Sequence, residues 1–471
     1  MIQQRRWFCS VFLVAMFVVV TAGCGRVVQR PTRDSIVKVP ETWSGGDAVV
    51  VGIESNWWDY FGDEGLSQVV SRVLERNQDL RGAAARIEAA EAQDLIASAS
   101  QFPQLDLGFD AGRRRQNFVG LPIPGAEGSV LSRTFSSTGL SLNLGWELDL
   151  WGKVKAGKLA AMANTQAREA ELAAARLSLS AQAARNWFGA IEAHRQVELA
   201  QSSMESYQIS AGRIRARFEN GVRPALDLRL ALTELRIAEA ALQSRLEISD
   251  RESRQLQILM GDYPDARYEV GKDLPKGPDR VPTGLPSELV HRRLDLVAAE
   301  RNLLAADARI AEAKAQLRPS FSLTTSFGTS SDQLRNLLSA DLLIWSLLGN
   351  VVQPVFNRGR LKAGVSLNEA IAEEAAARYE SAILAAYNEV EAALAAEEVI
   401  RRRRQALEDA TKQSIAAKKL AEQRYRSGLT GIITLLAAQR TAIDLESQLL
   451  TLRRLQLENR VNLHLALGGS F

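Results

Sequence analysis

The sequence predicts a mainly α-helical fold with a β-barrel portion, built from two tandem structural repeats that give four strands and long coiled-coil-like helices per chain. Three observations predict it. Two parts of the chain match each other at constant offsets, which indicates an internal repeat. Apolar or small residues recur at spacings of three and four over very long segments. Short segments between these alternate between apolar and polar residues, as strands do.

Two offsets define the repeat. Asp79 pairs with Asp295 at an offset of 216, and Gly221 pairs with Gly428 at an offset of 207. Each register also aligns further Ala, Pro and Gly residues without gaps, which makes chance similarity between Ala-rich helices a poor alternative. We expect repeat 1 over residues 66–261, a linker in an equatorial region over residues 262–286, and repeat 2 over residues 287–469.

The longest helical segments exceed the length of a globular helix. Residues 153–218 contain no proline, and Leu177, Ala181, Ala184, Phe188 and Ile191 mark one helical face. An unbroken helix of that length would extend about 100 Å. Such helices must pack as coiled-coil-like struts, and the glycines after them stand where a left-handed residue ends a helix.

The clearest alternating segment runs from residue 140 to residue 150. Leu140, Leu142, Leu144 and Trp146 alternate with polar residues or glycine. An apolar face opposite a polar face is typical of a transmembrane barrel strand between lipid and a watery lumen, and the alternative is a sheet packed on the chain's own core. We expect strands at about 104–112, 134–150, 320–328 and 342–356, the fourth being more hydrophobic and less regular.

The number of strands limits how a barrel can form. Lipid tolerates no open sheet edge, and the smallest bacterial barrels need about eight strands. Four strands per chain therefore require several chains, and three chains would supply twelve. The intervening segments, residues 112–133 and 328–341, have the composition of loops that face the exterior.

The N-terminus has the pattern of a bacterial lipoprotein signal. Two arginines precede an apolar run over residues 7–20, which is shorter than the roughly 20 residues that cross a bilayer as a helix. Small residues then precede Cys24. We expect a lipoprotein signal peptide over residues 1–23, lipidation of Cys24 and a lipidated tail over residues 24–65, against the alternative of an uncleaved anchor with an incidental cysteine.

Composition gives no indication of a nucleic-acid-binding protein or of a protein stabilised by disulfide bonds. Lys and Arg total 58 against 55 Asp and Glu, a balance that does not indicate nucleic acid as a partner. The only cysteines are Cys9, within the expected signal, and Cys24, so the mature chain has no disulfide. The absence of an acidic residue at Gly25 favours sorting to the outer membrane.

No enzymatic or metal-binding pattern is apparent. His194, His291 and His464 are far apart in sequence, and no Ser, His and Asp combination has a nucleophile context. We expect no catalytic residue, no cofactor and no metal site. The aromatic residues 57–61 are interpreted as holding the N-terminal segment on the helices, with a substrate-binding cluster as the alternative, and residues 401–404 as a solvated stripe.

Five segments occur in a distinctive order and spacing along the chain. They are WWDYFGDEGL (57–66), GLPSELVHRRLDL (284–296), QPVFNRGRLKAG (353–364), RYRSGLTGIITLLAAQR (424–440) and LALGG (465–469). Together these segments resemble the TolC-like outer membrane factor family, in particular the lipoprotein branch that serves efflux systems of the resistance-nodulation-division (RND) type. The resemblance covers nearly the whole chain and implies a trimeric twelve-stranded β-barrel with an α-helical periplasmic tunnel.

The resemblance also implies a function. It indicates an outer-membrane channel subunit of a tripartite efflux system, a passive conduit for export of small molecules that is lipid-anchored in the cell outer membrane and extends into the periplasm. The implied partners are a homotrimer, a periplasmic adaptor (membrane fusion) protein, an inner-membrane RND-type pump and outer-membrane lipid. Two alternatives remain: the outer-membrane duct of a type I protein secretion system, and, from a different class, a periplasmic coiled-coil adaptor or scaffold.

The resemblance points to two kinds of site. Related channels often carry Asp at an acidic constriction where this chain has Ala437, so Asp227 becomes the gate candidate, with a solvated acid at a helix start as the alternative. Helical hairpin tips are natural docking sites for coiled-coil partners, although the same residues also serve helix reversal. The adaptor-docking candidates are Arg217, Phe218, Gly221, Val222, Arg424, Tyr425, Gly428 and Leu429.

Overall fold

The computed structural model describes residue 43 and residues 56–118, 130–277 and 286–469. Cys24 and the expected signal peptide lie outside the described residues. The described chain forms two compact units. The first, here called the strand unit, comprises residues 88–166 and 301–377, and the second, the helical unit, comprises the remaining described residues.

The helices confirm the tandem repeat. Corresponding helices have equal lengths, with 22 residues in α2 and α6, 67 in α3 and α7, and 35 in α4 and α8. Among the described residues, no helix combines the length and mean hydropathy needed to cross a membrane. The helices are α1 (Glu64–Arg76), α2 (Gln78–Ala99), α3 (Lys153–Glu219), α4 (Ala225–Leu259), α5 (Pro286–Arg292), α6 (Leu294–Ala315), α7 (Arg360–Arg426) and α8 (Ile432–Ala466).

The strands form one antiparallel sheet in the order β1-β2-β3-β4. The first strand is longer than the alternation predicts, because pairing continues through the arginine-rich segment. The fourth ends before Pro354, which has no N–H to donate to a ladder. The strands are β1 (Gln104–Phe118), β2 (Leu131–Leu148), β3 (Ser320–Ser331) and β4 (Leu343–Val352).

The helical unit buries the predicted apolar face of α3. Ala181, Ala184, Phe188 and Ile191 are fully buried, and their small or flat side chains allow neighbouring helices to approach closely. They form part of a core that also contains Leu66 and neighbouring apolar residues of α1. Amphipathic packing rather than disulfides therefore stabilises the helices.

The segment before α1 packs on this core through tryptophans. Residues Trp57–Phe61 form a short 3₁₀ helix, and the Trp57 Nε1 donates a hydrogen bond to Ser180 Oγ at 3.1 Å. Trp187 Nε1 donates to Asp63 Oδ2 at 2.9 Å, and Asp63 also caps α1 by accepting from the Leu66 N–H. These contacts support the interpretation that this segment holds the N-terminal part of the chain on the helices.

In each repeat, a single residue separates the first two helices, and its side chain donates a hydrogen bond to the end of the last helix of that repeat. Asn77 lies between α1 and α2, and its amide donates to the carbonyl of Leu259. Arg293 lies between α5 and α6, and its Nη1 donates to the carbonyl of Ala466. Since Leu259 and Ala466 end α4 and α8, different side chains satisfy the corresponding helix terminus in each copy.

His464 lies fully buried in the aromatic cluster of the helical unit. Its ring stacks on Trp57, with ring centroids 5.4 Å apart, and lies close to Tyr60 and Phe61. Burial lowers the pKa of His464 to about 4.

This pKa predicts acid sensitivity. Since the folded-state pKa lies below the value of about 6.5 in an unfolded chain, the unfolded chain binds the proton more readily. Stability should fall as pH decreases from about 6.5 to about 4, by roughly 3 kcal/mol. Urea unfolding at pH 7 and pH 4 should show that His464→Gln loses less stability on acidification than the wild type, whereas the control His194→Gln behaves like the wild type. Equal losses in all three proteins would contradict the assignment.

Candidate functional site

The strand register gives the sheet one apolar face. Leu105 pairs with Leu144, Leu107 with Leu142 and Phe109 with Leu140, and directly paired residues point to the same side. The register continues this face across the other two strands. Its further members include Trp146, Leu148, Phe321, Leu323, Phe327, Leu343, Trp345, Leu347 and Val351.

The apolar face is not buried in the chain's own core. Leu107 is 73% exposed and Trp345 is 71% exposed. Leu140, Leu144 and Trp146 are partly exposed and Leu142 is exposed, so none of the four packs into a buried core. An apolar surface of this kind normally marks contact with a membrane or with another protein.

The opposite face is polar on three strands. Asp106, Gly108 and Asp110 of β1 face Asn143, Ser141 and Gly139 of β2. Their partners on β3 are Ser326, Gly328 and Ser330, and Ser326 Oγ donates to Asn143 Oδ1 at 2.8 Å. The fourth strand is less regular, as predicted, because Ile344, Leu348 and Val352 also lie on this face.

The extent of the apolar face matches the hydrocarbon core of an outer membrane. Leu140 and Leu148 mark its two ends on β2 and are eight residues apart. At about 3.4 Å per residue this is about 27 Å along the strand. With the strand tilt of roughly 40° found in membrane barrels, the height is about 21 Å, close to the ~25 Å apolar band of such barrels.

Each long hairpin in the helical unit reverses through the same motif. After α3, Gly221 has φ +72, the Gly221 N–H donates to the Phe218 carbonyl, and the Val222 N–H donates to the Arg217 carbonyl. After α7, Gly428 has φ +73 and Leu429 donates to the carbonyl of Arg424. A glycine with positive φ, with hydrogen bonds from the turn back to carbonyls of the last helical turn, is a common way to end a helix. The two glycines and the carbonyl of Arg424 therefore have a local structural role.

Tyr425 joins the two hairpin tips. Two guanidinium groups lie over its ring, with Arg217 Cζ 5.6 Å and Arg223 Cζ 5.2 Å from the ring centroid. Arg217 Nη2 also donates to the carbonyl of Arg426 at 3.1 Å. Because Arg217 and Arg223 belong to repeat 1 and Tyr425 to repeat 2, these cation–π contacts connect the two repeats.

The hydroxyl group of Tyr425 contributes less to the contact between the hairpin tips than the aromatic ring does. The side chain is buried, and its hydroxyl has no hydrogen-bond partner among the described residues. Burial raises the pKa of Tyr425, so the hydroxyl stays neutral. Beside the ring lies a cavity of about 570 Å³, lined by residues of α3, α7 and α8 that include Ile209, Arg213, Glu422 and Leu435.

Asp227 lies in the first turn of α4, next to this cluster. It is 9% exposed, and its carboxylate lies 3.8 Å from Arg223 Nη1. The alternative of a solvated acid at a helix start is therefore wrong. Asp227 thus lies next to Arg223, whose guanidinium lies over the ring of Tyr425, while Ala437 is exposed.

The tips also present apolar side chains to solvent. Val222 is 66% exposed and Leu429 is 69% exposed, while Phe218 is also exposed. The structure adds Leu226 and Ile433, which lie in the first turns of α4 and α8 and are 64% and 69% exposed. Sequence reasoning missed them, although the offset of 207 relates Leu226 to Ile433 as it relates Val222 to Leu429.

The remaining polar candidates form no reactive cluster among the residues that the structure describes. His194 lies 3.6 Å from Glu198, and no group of three His, Cys, Asp or Glu side chains is arranged to hold a metal ion there. Arg401 and Arg402 are exposed and both pair with Glu398, as expected for a solvated stripe.

Comparison with known proteins identifies the family. The family of outer membrane efflux proteins matches residues 69–262 and 285–469. The chain belongs to the outer membrane efflux protein family. Outer membrane protein OprJ of Pseudomonas aeruginosa is 33% identical over 97% of this chain and 95% of its own length. Pyoverdine export outer membrane protein OpmQ of Pseudomonas putida is 31% identical over 89% of this chain and 88% of its own length.

A solved structure gives the same assignment. The open state of the MtrE outer membrane channel of Neisseria gonorrhoeae aligns with a TM-score of 0.81 and 28% identity, over 95% of this chain and 98% of that chain. The family and these relatives confirm the predicted function of this outer membrane efflux protein as an outer-membrane channel component of an efflux system. The relatives are channel proteins rather than enzymes.

Proposed function

We propose that three copies of this chain close one twelve-stranded barrel in the outer membrane and form a passive conduit for export of small molecules. The observation that supports this most directly is a four-stranded sheet with one apolar face and two open edges, β1 and β4. Because lipid tolerates no unpaired edge, β4 of one subunit must pair with β1 of the next. The polar face then lines the lumen.

The conduit itself contributes no energy, so partners must supply it. We propose that the helical unit lies in the periplasm, where a periplasmic adaptor connects the channel to an inner-membrane pump of RND type. Val222, Leu226, Leu429 and Ile433 support adaptor docking at the tips, because apolar residues exposed at a hairpin turn and in the adjoining helical turn suit packing against a partner's coiled coil. The glycines Gly221 and Gly428 shape the surface without contributing side chains.

We further propose that Tyr425 and the two arginines hold the tip in a closed resting state. Opening requires the two hairpins to separate, and separation must break both cation–π contacts as well as the hydrogen bonds of Arg217. Asp227 acts through Arg223, whose guanidinium it orients, and is a positioning residue of this gate. A related channel with a solved open state supports the existence of such a transition.

Single-channel recordings test the conduit and the gate together. Purified trimers in planar bilayers should conduct weakly in the wild type, and Tyr425→Ala should raise the conductance severalfold, since it removes both cation–π contacts, each of about 0.5–2 kcal/mol. Tyr425→Phe is the matched control, because it keeps the ring and removes only the unpaired hydroxyl, and it should conduct like the wild type.

The outcomes separate the two proposals. Assembled trimers that never conduct, in any variant, would contradict the conduit. Conduction that is equal in the wild type, Tyr425→Ala and Tyr425→Phe would support the conduit and contradict the gate.

The lipid anchor at Cys24 is a further proposal, supported by the signal pattern of residues 1–23. Several acyl chains together hold a protein firmly on a membrane, while one chain binds only marginally. Cells grown with radiolabelled palmitate should label the wild type and the control Cys9→Ala, but not Cys24→Ala. Labelling of Cys24→Ala at the wild-type level would refute the anchor.

A further inference from the structure

The β1–β2 hairpin extends beyond the other two strands. Pairing between β1 and β2 continues to Phe118 and Leu131, whereas pairing between β2 and β3 stops at Thr138 and Ser331. Residues 112–118 therefore form a two-stranded ribbon with residues 131–137. Both strands join their helices at the opposite end, so this ribbon lies at the end of the sheet that is distant from the helices.

The ribbon prolongs the apolar face but changes its chemistry. Arg113 and Arg115 follow Leu105, Leu107 and Phe109 at even spacing, so they point to the same side of the sheet. Arg113 is four residues beyond Phe109, which is about 13 Å along the strand. At a tilt of roughly 40°, this is about 10 Å above the last apolar row.

The partners across the ribbon on this side are hydroxyl residues. Arg113 faces Ser136 and Arg115 faces Thr134, and Arg115 Nη2 donates to Ser132 Oγ at 2.8 Å. Both arginines are exposed, and neither forms an ion pair with an acidic residue in the described part of the chain. Two unneutralised cations and several hydroxyl donors therefore border the apolar face.

The other side of the same ribbon differs. Arg114 and Arg133 point there, together with Phe135, over which the Arg133 guanidinium lies at 5.1 Å from the ring centroid. Asp106 and Asp110 also lie on that side of β1. The arginines of that side thus share it with two acidic residues of β1, whereas Arg113 and Arg115 border the extended apolar face.

We propose that Arg113 and Arg115 form a binding site for the phosphate groups of lipid in the outer leaflet. The proposal rests on the proposed outer-membrane position of the sheet, in which the ribbon reaches the outer surface. Phosphorylated headgroups would then lie next to these two guanidinium groups, while the acyl chains of the same lipid cover the apolar face below. Guanidinium groups bind phosphate through two parallel hydrogen bonds, and hydroxyls such as Ser132 and Ser136 supply further donors.

Lipid A in detergent, which carries two phosphates, is the probe for this site, and affinity is measured by titration of purified trimers. The wild type should bind phosphatase-treated lipid A about tenfold more weakly than intact lipid A, the loss expected for charged hydrogen bonds. The double substitution Arg113→Gln and Arg115→Gln should show a similar loss with intact lipid A.

The chain supplies matched controls. Arg114→Gln with Arg133→Gln removes the same charge from the opposite side of the ribbon and should bind like the wild type. Arg113→Lys with Arg115→Lys keeps the charge, removes the planar donor pairs and should bind less tightly than the wild type but more tightly than the glutamine variant. Heat-resistant trimers and bilayer conductance report assembly of every variant.

Three results would overturn the proposal. The first is equal binding of intact and dephosphorylated lipid A by the wild type, a comparison that needs no variant. The second is an equal loss in the two glutamine pairs, which would indicate unspecific charge attraction. The third is displacement of lipid A by millimolar inorganic phosphate, which would indicate a site for free phosphate. Since conductance is recorded separately, conducting wild-type channels would leave the proposed conduit standing in each case.

Discussion

The whole structure depends on a sheet that has apolar side chains on one face and polar side chains on the other, and whose two edge strands pair with no further strand among the described residues. Leu107 and Trp345 are exposed in the part of the chain that the structure describes, and burial of such surface in lipid would be favourable. A surface of this kind cannot remain in water, and its unpaired backbone groups cannot remain in lipid. Assembly with further copies in a membrane satisfies both requirements at once. The proposed trimer formation and membrane insertion would thus meet one physical requirement rather than two.

The helical unit, which is also built from both repeats, must stabilise very long helices. Helices of 67 residues are stable only when a continuous seam is buried, and the small residues of α3, such as Ala181 and Ala184, allow this without a thick core. The two repeats then meet at their tips through unlike residues, since Tyr425 comes from one copy and Arg217 and Arg223 come from the other. The contact at the tip is thus made between the two repeats rather than within one of them.

Much of the fold was predictable because periodicity and offsets are local properties of the sequence. The offset of 207 gave equal long helices and equivalent turns at Gly221 and Gly428, and the alternation around Leu142 gave the orientation of β2. Strand ends were less predictable, because pairing of β1 through residues 113–118 depends on its partner strand rather than on hydrophobic alternation. The contact of Arg223 with Tyr425 was missed, since it joins residues that are about 200 positions apart. The burial of His464 beneath Trp57 was missed for the same reason.

The most direct test of the central claim measures which environment each face of β2 meets. The sequence has only two cysteines, Cys9 and Cys24, so a single further cysteine can be introduced at each position from Gly139 to Glu147 and spin-labelled in trimers reconstituted in lipid. The account predicts that oxygen, which concentrates in lipid, relaxes labels at Leu140, Leu142, Leu144 and Trp146, whereas a water-soluble nickel complex relaxes the labels between them. Accessibility without this two-residue period, or with the two reagents exchanged, would contradict the account.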